Sequence, residues 1–69
     1  MELNWVDGFE IRVVTDGTET CISANREGLL SLANHLQALA EEAPGSHIHM
    51  DAFNSLSDGS TELVIEKTD

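Results

Sequence analysis

Apolar and polar positions alternate in two different rhythms along this chain. Phe9, Ile11 and Val13 alternate with Glu10, Arg12 and Val14, the two-residue period of a half-buried strand. Ser46-His47-Ile48-His49-Met50-Asp51 repeats that period, with Ile48 and Met50 on one face and His47, His49 and Asp51 on the other. Thr61–Lys67 repeats it again, with Leu63 and Ile65 inward and Glu62, Val64 and Glu66 outward. Leu3–Val6 and Glu19–Ser23, the latter with Ile22 as its inward residue, complete five predicted strands. Asp7-Gly8 and Asp16-Gly17 separate the first three as type I′ hairpin turns, in which both central residues need positive φ.

Between the third and fourth strands the rhythm lengthens. Leu29, Leu32, Ala33, Leu36, Leu39, Ala40 and Ala43 recur at three- and four-residue steps, which predicts a helix over 26–43. Asn25 suits the N-cap, Glu27 the first turn, and Pro44-Gly45 the end. The stripe predicts a core contact through Leu29, Leu32, Leu36 and Leu39, with Ser31, Asn34, Ala38, Glu41 and Glu42 facing water. Gly28 costs helix propensity, or else lets the backbone sit close to a neighbouring strand. His35 is expected at the stripe's edge with its nitrogens exposed. In the loop 52–60, Phe53 and Leu56 are candidate anchors and Asp58-Gly59 the turn. The expected fold is α+β: an antiparallel sheet of four to five strands, in chain order β-β-β-α-β-β, with one helix packed on one face.

Length and charge narrow the class. Sixty-nine residues make one domain, 1–69, with a modest core. Three Lys or Arg against thirteen Asp or Glu give a net charge of −10. That balance excludes ordinary nucleic-acid binding, which depends on neutralising phosphates with cations. It favours basic protein surfaces as partners, and it also serves solubility. No apolar run approaches the ~20 residues of a membrane span, and the N-terminus shows no export signal. The lone Cys21 has no internal partner, and a buried, inert thiol is expected. Together these predict a cytoplasmic protein that binds neither nucleic acid nor membrane, as a monomer or homodimer.

Candidate chemistry is sparse. No GxSxG, GxGxxG, P-loop or CxxC occurs, so no enzyme activity and no cofactor is expected. Trp5, the sole tryptophan, is expected in the core. The one constellation is His47-x-His49-x-Asp51, whose alternate side chains project from one strand face, with Glu62 or Glu66 on a paired strand as a further ligand. Two readings stand: a metal-binding or sensing module on His47, His49 and Asp51, or histidines that face solvent or a partner. The second is the expectation, with no metal. A ligand-free oligomeric scaffold is a third alternative.

The segments Asn25–Ala33, Gly45–His49 and Gly59–Leu63 resemble the thirty-second family of bacterial immunity proteins of polymorphic toxin systems. The resemblance spans roughly Trp5 to Lys67. It implies a protein that binds and neutralises a cognate toxin by occlusion, with no catalytic residues. Nuclease toxins need basic surfaces, which an acidic inhibitor could cover. The expected partner-binding residues are His47, His49, Asp51, Asp58, Glu62 and Glu66, with the outer helix face around Glu41 and Glu42 as the alternative surface.

Overall fold

The computed structural model describes residues 1–69. Its elements are β1 (Ile11–Asp16), β2 (Glu19–Ala24), α1 (Arg26–Ala40), β3 (His47–Met50) and β4 (Leu63–Glu66). β1 pairs antiparallel with β2 and β3 with β4, giving two separate two-stranded sheets. The expected single sheet of four to five strands is therefore incorrect, for two physical reasons.

First, Leu3–Val6 is not a strand. Its backbone is satisfied by helix side chains: the Val6 amide donates to Ser31 Oγ at 2.8 Å and Asn34 Nδ2 donates to the Asn4 carbonyl at 3.1 Å. Second, the free edge of β1 is taken by a loop. The Ser57 and Thr61 amides donate to the Ile11 and Val13 carbonyls, each at 2.8 Å, and the Val13 amide donates to Ser60 Oγ at 3.2 Å. This loop leaves the β3–β4 plane at Asp51, whose carbonyl accepts from the Asn54, Ser55 and Leu56 amides. The turn delivers Leu56 into the core while Phe53 stays fully exposed, so only one of the two expected anchors is one.

The β1–β2 register pairs Asp16 with Glu19, leaving Gly17-Thr18 as a two-residue loop. Only Gly17 has positive φ there, at +63°, and Thr18 does not. Glycine at the first central position alone matches a type II′ turn rather than the expected I′.

The core comprises Ile11 and Val13 from β1, Leu39 from α1, Ile48 and Met50 from β3, and Leu56. Trp5, Leu32, Leu63 and Ile65 pack against it half-buried. β2 is an edge strand on which Cys21 and Ile22 are both exposed, against the expectations of a buried thiol and an inward Ile22.

The helix starts where expected, at the Asn25 cap, and ends at Ala40 rather than 43. Asn25 Oδ1 accepts from the Gly28 amide at 2.7 Å and from the Glu10 amide at 3.0 Å, while Asn25 Nδ2 donates to the Gly8 carbonyl at 2.9 Å. At the far end, Lys67 Nζ donates to the Ala40 and Glu42 carbonyls, each at 2.7 Å. The helix has no basic residue in its last turn, and this distant lysine satisfies its orphan carbonyls and complements its dipole.

The buried face of α1 is not the leucine stripe. It consists of Gly28, Ser31, His35 and Leu39, whereas Leu29 is 56% and Leu36 48% exposed. The helix is rotated by roughly a quarter turn from the expected orientation. Gly28 explains why: a Cβ there would lie 2.5 Å from the Glu10 carbonyl oxygen, so only glycine permits this approach. Ser31 Oγ, fully buried, accepts from Val6 and donates to the Glu27 carbonyl at 2.8 Å. His35 is also fully buried, against expectation, edge-on to Trp5 with ring centroids 4.1 Å apart, and neither ring nitrogen has a hydrogen-bond partner.

Two predictions follow from this orientation. At low micromolar protein, Leu39→Ala should cost about 2–5 kcal/mol of unfolding free energy. Leu36→Ala, from a half-exposed site, should cost under ~1 kcal/mol. Denaturant melts of both variants check the order, and the reverse order would show that the leucine stripe is the core face.

Burial also lowers the pKa of His35 below its ordinary 6.5 by penalising the imidazolium. A group depressed in this way binds protons more readily when unfolded, so its contribution is full above about pH 6.5 and declines as pH falls below it. Stability should fall as the pH drops below 6.5, by at most about 1.4 kcal/mol per unit from this residue. In His35→Leu that decline should flatten, and an unchanged slope would assign it to other groups.

Candidate functional site

The β3–β4 hairpin turns one face inward and one outward. Its register pairs His47 with Glu66, Ile48 with Ile65, His49 with Val64 and Met50 with Leu63. Directly paired residues share a face and alternate residues repeat it. Ile48 and Met50 enter the core, so His47, His49, Val64 and Glu66 point outward, and all four are exposed. Asp51 and Glu62 continue the same face one step beyond the strands.

Five of the six residues expected to meet a partner are thus gathered on this face. Asp58 is not among them: it lies on the exposed turn of the loop that runs along β1. The exposed Val64, which sequence reasoning placed outward but did not include in the contact set, stands at the centre of the face beside His49.

His49 Nε2 lies 3.5 Å from Glu62 Oε2. Ligand atoms of His49, Asp51 and Glu62 all lie within 4.8 Å of one another. Asp51 is held in place by its own turn, with Oδ1 accepting from the Phe53 amide at 2.9 Å and the Asn54 amide at 3.1 Å. Of the residues expected in a metal-binding alternative, His47 stands outside this group and Glu62 takes its place. The His49–Glu62 separation equals the ~3.5 Å between ligands of a tetrahedral zinc, the group as a whole spans up to 4.8 Å, and one Asp51 oxygen is already engaged by its own turn.

The electrostatics of the face are set by what it lacks. The ion pairs of the chain are Met1 amino group–Glu42, Arg26–Glu27 and His49–Glu62. No lysine or arginine pairs with Asp51, Glu62 or Glu66, so the face is negative wherever its histidines are neutral. A concavity of about 390 Å³ lies elsewhere, between β1, β2 and Ser57, and is lined by Glu10 and Arg12 but by none of the hairpin-face residues.

Zinc should leave the thermal midpoint unchanged if these side chains are kept for a partner, because only a ligand that binds the native state raises it. A saturable rise at one zinc per chain, lost in His49→Ala, would show a metal site in its place.

No curated protein and no solved structure matches the chain. The family model for Immunity protein 32 matches residues 19–68, a span that contains the helix and the whole β3–β4 hairpin. The chain therefore belongs to the Immunity protein 32 family.

Proposed function

We propose that this protein neutralises a cognate toxin domain by laying the outward face of its β3–β4 hairpin over the toxin's active site. Family membership supports the role of an immunity protein, and on our reading that role is exercised by binding. The observation that carries the surface is a run of three carboxylates, Asp51, Glu62 and Glu66, on one hairpin face with no Lys or Arg paired to them. Val64 supplies an apolar point among them, and His47 and His49 supply donors and acceptors.

A basic active-site groove is the complement of such a face, and nucleases that hold phosphate backbones have one. The toxin class favoured by charge is therefore a nuclease. The alternative surface at Glu41 and Glu42 is less suited. Glu42 pairs with the N-terminal amino group, Lys67 occupies the adjacent carbonyls, and the outer helix face is apolar rather than acidic.

Charge on an interface acts mainly through steering. Reversal of Glu62 and Glu66 to Lys should therefore slow association with the toxin by about tenfold or more at low salt, with a smaller change in dissociation. Surface-plasmon kinetics across a salt series measure both. Co-expression with a toxin, where one is encoded beside this protein's gene, tests the role itself. Growth should be restored, and arrest despite abundant folded protein would refute the immunity reading.

A further inference from the structure

The apolar stripe of α1 is wider than the core beneath it. Only its edge, Leu32 and Leu39, reaches the core, while Leu29, Ala33, Leu36 and Ala40 form an exposed ridge at i, i+4, i+7 and i+11. No charged residue lies between Glu27 and Glu41, in a chain whose net charge is −10. Large apolar side chains left together on the surface of so small a domain mark a contact site.

The order of residues on the ridge says what covers it. Leu29, Ala33, Leu36 and Ala40 alternate large and small, so the ridge read backwards is the complement of the ridge read forwards. A second copy related by a two-fold axis passing between Asn34 and His35 runs antiparallel. It sets each Leu29 over Ala40 of the other copy and each Leu36 over Ala33. The alanines permit close approach of the two helix axes. An isologous contact requires this kind of self-complementarity. The same pairing brings Arg26, whose side chain is 80% exposed, to the end of the other helix, where Glu41 lies. Two chains of charge −10 repel over the rest of their surfaces, and this uncharged strip is where they can meet. A basic toxin, by contrast, is drawn to the carboxylates of the hairpin.

From this geometry we infer that the protein is a homodimer joined by antiparallel α1 helices through Leu29, Ala33, Leu36 and Ala40. The outward face of each hairpin points away from the core on another side, so both copies keep theirs free. The inference is independent of the toxin reading and is tested without a toxin.

Sedimentation equilibrium at tens of micromolar protein should return twice the 7.5 kDa chain mass, with tighter association as salt screens the like charges. Leu36→Glu should return the monomer mass with unchanged helical circular dichroism, because Leu36 is not in the core. The register is tested by disulfide trapping in a Cys21→Ser background. Ala33→Cys places its two sulfurs about 4–5 Å apart along the axis and should cross-link, whereas Leu29→Cys places them about 16 Å apart and should not. A monomer at high salt and high concentration would overturn the inference. So would a Leu36→Glu protein that remains dimeric, or equal trapping at both positions. A wild-type monomer whose Leu36→Glu variant loses toxin protection would show that the toxin covers the ridge.

Discussion

Gly28 against the Glu10 backbone is the contact on which the rest of this structure depends. A Cβ at that position would overlap the Glu10 carbonyl and crowd Ala24 and Ile11. With none, the first turn of α1 settles onto the start of β1, and Asn25 ties the two together through Gly8, Glu10 and Gly28. Helix position and helix rotation are then no longer independent. The face that carries Gly28 also carries Ser31 and His35, and both become buried. The N-terminal segment closes over them, with Val6 bonded to Ser31 and Trp5 stacked edge-on against His35. The cost of glycine within a helix, about 1 kcal/mol relative to alanine, is offset by the packing that this approach allows.

The legible parts of the sequence were those governed by local periods. The helix, its Asn25 cap and the inward Ile48 and Met50 follow from spacings of 3.6 and 2, which one segment states by itself. Because alternate strand residues share a face, the sequence alone groups His47, His49, Asp51, Glu62 and Glu66. Rotation of the helix was not legible in this way. The apolar stripe spans a wider arc than the core needs, so its centre misidentifies the buried face. Small and polar residues at 28, 31 and 35 were the available signal, since they suit close approach better than leucines do. The division into two sheets was hidden for a related reason. Residues 57–61 satisfy the edge of β1 with two amides and one serine hydroxyl, a pattern without period. Cys21 and Ile22 are exposed because β2 has a partner on one side only and lies beyond the cover of the core.

Scarcity of cations makes each of the three informative. Lys67 is spent on the end of α1, where it holds two carbonyls and docks the last strand's exit against the helix. Arg26 lies at the start of the same helix, loosely paired with Glu27 at 4.0 Å. Arg12 lines the groove beside β1. None is placed among the outward carboxylates of β3–β4. The placement of the cations, as well as their number, thus leaves Asp51, Glu62 and Glu66 without a Lys or Arg partner, where exposed pairs would have neutralised them at little cost in stability.

The two exposed surfaces that result make opposite demands on the solvent. On the function proposed above, the hairpin face would steer a basic partner best at low ionic strength, because screening shortens the reach of its field. An uncharged ridge between two copies of charge −10 works best when that same repulsion is screened. The two can coexist in one molecule only if they occupy different sides of it. The quarter-turn rotation of α1 secures that separation. Had the leucine stripe faced the core, the polar side of the helix, with Ser31 and Asn34, would have faced outward and no ridge would remain. With Gly28 against Glu10, apolar surface is left on the helix and charge is left on the hairpin.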